Sequence, residues 1–304
     1  MSSTKHFASK KSFKHPHTDS DNFKSIEADI AYNDYYKRAT IIIEKVVRLD
    51  TLKYISIPDV FKERTWIKLL NPSGNVYVEI IKKFFSNASM DGDQINCWVR
   101  YKKFVTRDSI QEFLEVRSPS QLITVQYNDR LDPVEPMVEV LGGSLHKKSM
   151  NTIPLNAKMR TLTYVMIHNL YPVTNLTTLS TPRTIFLYDL FTHKEINIYG
   201  HIFHLLTKSI TKRNTRTIIP FPTLIMGLIA KTRLKLPSGL TIVPRDYPIG
   251  ANTVTRSKVH IIKSKTIVSQ IPTDHAEEEG GDTEEEIDRF TSTSESSTQP
   301  SFQA

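Results

Sequence analysis

Hydrophobic positions along the chain recur mostly at helical spacing. Ile26 to Arg38 is compatible with a helix. Pro58-Asp59 reads as a first turn leading into Val60, Phe61, Trp66 and Leu69, with Asn71-Pro72-Ser73-Gly74 as the stop. Val76, Ile80, Ile81 and Phe84 then form one stripe of a helix over Val76 to Phe85. After it the period changes to two. Ile95, Cys97, Val99 and Tyr101 alternate with Asn96, Trp98 and Arg100, and Lys102-Lys103 precedes Phe104-Val105, which predicts a short β-hairpin. Thr106 is placed to cap a helix running to Leu114, with Asp108 near its positive end. Between 117 and 153 the breaks at Asp132-Pro133 and Gly142-Gly143 leave room for one short helix.

The second half repeats the helical period more clearly. Pro154 opens a helix carrying Leu162, Val165, Met166 and Leu170, ended by Tyr171-Pro172. Thr181 as N-cap and Pro182 at the first helical position start another, with Ile185, Phe186, Leu190 and Phe191. A third runs from about Ile198 through Ile202, Leu205, Leu206 and Ile210, and a fourth follows Pro222 with Leu224, Ile225, Leu228 and Ile229. Amphipathic stripes need one another for burial, so the expected fold is mainly α: a single helical bundle-like domain with a short β-hairpin, over residues 26–271. Residues 1–25 are polar and rich in Lys, Ser and His. Residues 272–304 are acidic and then Ser/Thr-rich. Neither has enough apolar surface to offset its ordering entropy, so both are expected to be disordered.

Charge changes the picture because it is unevenly placed. Residues 31–146 hold 16 basic and 15 acidic side chains. Residues 147–272 hold 18 basic residues against three acids, Asp189, Glu195 and Asp246. The tail reverses the sign, with Glu277-Glu278-Glu279 and Glu284-Glu285-Glu286 facing Arg289, and is a candidate competitor for the basic half. A basic surface suits sequence-independent, salt-sensitive phosphate contact. The candidate nucleic-acid-binding residues are Lys208, Lys212, Arg213, Arg216, Lys231, Arg233 and Lys235. DNA or RNA is the partner this half fits. Self-association as a capsid-like module is the alternative.

The ordered motifs in both halves resemble one known family. They are Phe61-x-x-Arg64-x-Trp66, Asn75-Val76-Tyr77-Val78-Glu79, Phe84-Phe85-Ser86-Asn87 and Val99 to Val105. A longer stretch starts near Arg160 and continues through Leu170-Tyr171-Pro172-Val173-Thr174-Asn175, Arg183 to Tyr188, Ile196-Asn197-Ile198 and Ile219 to Ile225. Pro248-Ile249 and Thr255-Arg256-Ser257 follow. In order and spacing this series is similar to the putative plant transposon protein domain, over roughly residues 30–260. The resemblance implies a plant retroelement origin and does not by itself imply transposase activity. The chain departs from the family pattern at Tyr101, where Gly is usual, and at Thr163 or Tyr164, where Trp is common. Its Lys231-Thr232-Arg233-Leu234-Lys235 replaces an acidic or neutral stretch.

Catalytic chemistry is not expected. A transposase or integrase needs three carboxylates converging on two metal ions. The acids Asp91, Asp93, Asp129, Asp132, Glu135 and Glu139 fall in turn-like stretches without a strand series to hold them. No aspartic-protease loop, paired-Asp polymerase turn or Gly-rich phosphate loop occurs. The single cysteine, Cys97, excludes an internal disulfide and a zinc knuckle, and reads as a small buried side chain. His193, His201 and His204 are weighed as metal ligands. With Lys208 continuing the same stripe, a solvated polar helix face is the expected state. No metal, cofactor or small-molecule substrate is expected. The apolar run Ile218 to Ala230 is too short to span a bilayer and contains Pro220 and Pro222, so a buried helix is expected; the single cysteine fits an intracellular, reducing compartment, nuclear or cytoplasmic.

Overall fold

The computed structural model describes residues 23–99, 101–119, 126–214, 217–233, 236, 238–244 and 247–256, with 98–99 and 101–104 described by backbone alone. The acidic tail over 272–304, most of the N-terminal polar segment, Arg216 and Lys235 lie outside these residues. Phe23 to Ser25, counted with the disordered N-terminus above, are placed. Lys24 donates from its backbone N–H to the Asn87 side chain (2.8 Å). The Ser25 hydroxyl accepts from Ala28 and caps α1, Ile26–Ala31, which continues as a π turn over Tyr32–Tyr36.

The architecture is mainly helical, as the periodicity predicts, with small sheets between the helices. The helix expected from Pro58 is instead two short ones, α2 (Ile57–Lys62) and α3 (Ile67–Leu70). Thr65 between them has φ 59°, and the Trp66 N–H returns to the Phe61 carbonyl. A left-handed residue ends an α-helix because it breaks the i→i−4 ladder. The break lets Phe61, Trp66, Leu69 and Leu70 all reach the core, which one straight helix could not do. α4, Val78–Asn87, follows the predicted stripe.

The hairpin is the centre of a three-stranded antiparallel sheet of β2 (Ser89–Asp91), β3 (Gln94–Val99) and β4 (Tyr101–Val105). Its strands β3 and β4 pair in register from Ile95 with Val105 to Val99 with Tyr101. α5, Arg107–Leu114, starts at the Thr106 cap, with a reciprocal hydrogen bond between Thr106 and Ser109. α6, Glu135–Leu141, is the short helix between the two breaks, ended by Gly142 at φ 73°.

In the second half, β5 (Ser144–His146) and β6 (Ser149–Asn151) form a sheet with β7 (Thr178–Ser180). α7, Ala157–Val165, is capped by Asn156 rather than opened at Pro154, and passes into a π turn over Met166–Leu170. α8 spans Thr181–Phe191, with Ser180, one residue earlier than expected, at its N-cap position. α9 (Ile198–Thr211) starts at the Asn197 cap, and α10 is Pro222–Lys231. The two halves share one hydrophobic core, running from Tyr36 and Phe85 to Phe186, Leu206 and Ile225. The charge boundary near residue 147 therefore divides a surface and not a core.

What ties the halves together is an extended strap over residues 40–48. β1 (Thr40–Ile41) pairs in parallel with β8 (Ile218–Ile219), and the Ile42 N–H donates to Ile219 (3.1 Å). Glu44 is fully buried, and its carboxylate accepts from the Thr223 and Leu224 N–H groups, both at 3.0 Å. It thereby caps α10, whose own N-cap position, Phe221, has φ 54° and no capping side chain. Burial pushes the Glu44 carboxyl upward, and the two N–H bonds pull it back. The next residue is held by Asn169 from the π turn: its amide donates to the Lys45 (2.7 Å) and Leu69 (3.0 Å) carbonyls and accepts from the Lys45 N–H (3.3 Å). Val47 then donates to Leu70 (2.8 Å), and Val46 accepts from Ile249 (2.9 Å).

Glu44→Ala leaves two buried N–H groups without an acceptor and is expected to cost about 2–4 kcal/mol of unfolding free energy. Glu44→Gln keeps one carbonyl acceptor and should lose less. Urea unfolding followed by circular dichroism reads both; an alanine variant as stable as the parent would refute the capping role.

Candidate nucleic-acid interface

The first three candidate residues lie at the C-terminal end of α9: Lys208 in its last turn, Lys212 at its C-cap and Arg213 just beyond. Ile198 to Phe203 are all buried, so the first half of the helix is covered all round. Its second half buries only Leu206 and Ile210, leaving Lys208 and Lys212 exposed. Lys208 lies within electrostatic reach of Lys212 and Arg183: its ammonium is lowered by partial burial first, then by these two cations. His204, half-buried on the preceding turn, is lowered by burial and then by Lys208; Lys212 and Arg107 add smaller effects, and Asp129 opposes them. Arg107 at the start of α5 lies over the Phe203 ring at 5.4 Å. Arg183 near the start of α8 lies over Tyr171 at 4.9 Å and donates to Ser180 (3.1 Å). Three helices thus bring five basic side chains to one flank: Lys208, Lys212, His204, Arg107 and Arg183.

The remaining candidates divide. Arg213 serves the fold: it donates to the carbonyls of Ile210 (2.7 Å) and Ala88 (3.1 Å) and covers Tyr36, whose hydroxyl burial pushes up to about 12. Lys231 is exposed, but pairs with Glu112 (3.2 Å) beside the Phe113 ring. That ring seats over Gly227, where a Cβ would come within 2.3 Å of it. Arg233 is exposed with φ 57°. Lys231 meets the C-terminal end of α5, while Lys208 and Lys212 belong with its N-terminal end. Arg107 and Arg183 were not among the sequence candidates. They lie far from α9 in the chain and join it only through packing.

Asp189 in α8 is buried, and so is withdrawn from the surface. Its carboxylate pairs with Arg130 and lies 3.6 Å from Lys194, and Tyr127 donates to it at 3.3 Å. Arg130 also forks onto Asp132 (2.8 and 2.9 Å), which holds the Asp132 carboxyl below its ordinary range. Arg64 closes the cluster by donating to the Asp189 and Lys194 carbonyls. Of the other acids weighed above, Asp93 lies 3.9 Å from Arg107, and Glu135 and Glu139 are on α6. Among the described residues no three His, Cys, Asp or Glu side chains come together as a metal-binding group. Cys97 is buried.

The histidine stripe departs from expectation. His193 lies against Glu63 (2.7 Å), but His201 is buried, not solvated. Its ring sits among Tyr171 (4.5 Å between centroids), Phe186 (4.9 Å) and Tyr127 (5.4 Å), with edge-to-face geometry to both tyrosines. Neither ring nitrogen has a hydrogen-bond partner among the described residues. An N–H directed at an aromatic face is the weak interaction such surroundings allow. The apolar stripe of α9 widens at its N-terminal end because α9 meets both α5 and the aromatic side of α8, and residue spacing alone does not show that second contact.

The class these features define is a mainly helical domain. None of its described helices is long and apolar enough to cross a membrane. Among family models, the one described as "Putative plant retrotransposon-related domain" matches residues 62–234, more than half of the chain, and the protein belongs to that family. The match is narrower than the resemblance over 30–260 and omits the strap. No curated protein and no solved structure matches.

Burial holds His201 down at about 3, with His204 and Arg183 adding to the effect. An unfolded histidine titrates near 6.5. Stability is therefore full above about pH 6.5 and falls as pH drops toward 3, because only the unfolded chain takes up the proton. At pH 5 the loss is roughly 2 kcal/mol. His201→Phe removes this group while keeping an aromatic ring in the box. Its stability should fall between pH 7.5 and 5 by about 2 kcal/mol less than that of the parent; identical pH dependence in urea unfolding would contradict the assignment.

Proposed function

We propose that the protein is a non-catalytic, retroelement-derived intracellular protein that binds nucleic acid through the flank formed by α9, α5 and α8. The observation that carries this reading is the convergence of Lys208, Lys212, Arg107 and Arg183, with His204 among them. Cations that repel one another at short range gain when phosphates replace their counterions. The family supports the reading by origin, since retroelement proteins operate around their own RNA and DNA. The flank has the attributes of a backbone binder: point charges on helix ends, without a recognised base-reading motif. Arg213 and Lys231 belong to the basic half but act mainly in the fold, through the carbonyls at Ile210 and Ala88 and through Glu112.

Fluorescence anisotropy with duplex DNA and with RNA, across a salt series, tests this. Binding should be tight at low salt and weaken steeply as salt rises. Substituting Lys208→Gln and Lys212→Gln together should reduce the salt slope on duplex DNA by about 2, close to 0.9 for each lost phosphate contact. Both side chains are exposed, so the unfolding midpoint should not move. Absence of binding at low salt, or an unchanged slope, would overturn the proposal.

A further inference from the structure

Among the described residues, the sheet β5-β6-β7 ends on an open strand. β5 is its edge, and all three residues of β5 are exposed. Residues directly opposed across antiparallel strands carry their side chains on the same face. Leu179, Met150 and Leu145 are opposed in this way and form one row across the three strands. Leu179 and Met150 are fully buried, whereas Leu145 is 40% exposed. The apolar row therefore runs out of the core and stops uncovered at the edge. Val140, in the last turn of the α6 helix that packs against β5, is exposed as well.

The register also settles where the Leu145 backbone points. Hydrogen-bonded and non-bonded pairs alternate along an antiparallel ladder. The Thr152 N–H donates to Thr177 (2.9 Å), two steps along the β6–β7 register from Met150 and Leu179. Met150 thus turns its N–H and C=O toward β7, and its pair with Leu145 is a non-bonded one. The two-residue turn Lys147-Lys148 gives the same alternation, because the residues flanking such a turn, His146 and Ser149, are the ones that exchange bonds. On both counts the Leu145 N–H and C=O leave the sheet on its open side. No other backbone group of the described residues bonds to them.

An edge with one outward donor and one outward acceptor on the same residue is complementary to itself. Two copies related by a two-fold axis at Leu145 exchange both bonds between the two leucines and join their apolar rows end to end. The same register sets Lys147 of one copy opposite Gly143 of the other. Glu139 lies one helical turn before that glycine, and its carbonyl accepts from the Gly142 N–H (3.0 Å). Lys147, Lys148, Glu135 and Glu139 are exposed, and among the described residues none of them forms an ion pair within its own chain. Antiparallel pairing brings lysines to glutamates twice over, whereas parallel pairing would set lysine against lysine.

We infer that a second copy of this chain docks on the β5 edge, antiparallel about Leu145, so that the two three-stranded sheets become one. The contact is small, so the dimer is reversible, with a dissociation constant on the order of 10–100 µM. It uses no residue of the α9 flank and does not need nucleic acid.

Sedimentation equilibrium of the full chain without nucleic acid, from well below to well above that concentration, should show monomer passing to dimer. Leu145→Pro removes the outward N–H without breaking a bond to β6 and should weaken the dimer at least about tenfold. Lys147→Glu, a surface change, sets acid against acid at two symmetric places and should weaken it by about tenfold. Lys147→Glu combined with Glu139→Lys should recover to within about threefold of the parent. The Lys208→Gln, Lys212→Gln protein should dimerise as the parent does, so failure here and failure of the nucleic-acid reading are separable. Circular dichroism checks that each variant is folded; if Leu145→Pro is not, the charge exchange decides alone. A monomer at every concentration, a dimer indifferent to Lys147→Glu, or a double variant no tighter than Lys147→Glu alone would overturn the inference.

Discussion

The fold depends on how a charged side chain is accommodated where water cannot reach it. Glu44 sits in the core because α10 begins there without a cap of its own, and two backbone N–H groups at a helix start are among the best partners a buried carboxylate can find. The arrangement is reciprocal. The helix needs an acceptor, the carboxylate needs donors, and each leaves the other costly to expose. Asn169 repeats the principle one residue later with a neutral amide. Between them these two side chains fix the strap, and the strap fixes α3, the π turn, α10 and the segment at Ile249 relative to one another.

Electrostatics then separate into an interior and an exterior account. The interior uses paired charges: Asp189 with Arg130 and Lys194, and Glu44 with the α10 amides. Burying Asp189 withdraws one of the few acids of the basic half from the surface. Arg213 moves the other way, from candidate ligand contact to carbonyl donor. Net charge is therefore a poor guide to a binding face until each ion is assigned to core or solvent.

Local signals were legible and relational ones were not. Thr106, Pro222 and the alternation from Ile95 each act within a few residues, and the elements they announce are present. Capping and strand periodicity are short-range physics. The start of α7 was misplaced by a small distance, since several nearby residues could serve, and the break at Thr65 divides what reads as one helix. The burial of His201 and the convergence of Arg107 and Arg183 on α9 depend on partners many residues away. A polar residue beside an apolar stripe reads as solvated unless a second neighbouring helix is known. The strap was invisible for the same reason: an isolated Glu in a β-like stretch gives no sign that a helix start 179 residues later awaits it.

The strap also separates two units that are often treated as one. The family match begins at Lys62, after the strap has ended, yet α10 lies inside that match and takes its cap from Glu44 outside it. What is recognisable as a shared element is thus smaller than what is structurally self-sufficient. A gene fragment carrying only the recognisable part would transplant a helix stripped of its terminal acceptor and a π-turn asparagine that keeps Leu69 but loses both of its bonds to Lys45. For a sequence associated with mobile elements, the piece that can be copied by recognition and the piece that can survive as a protein have different ends.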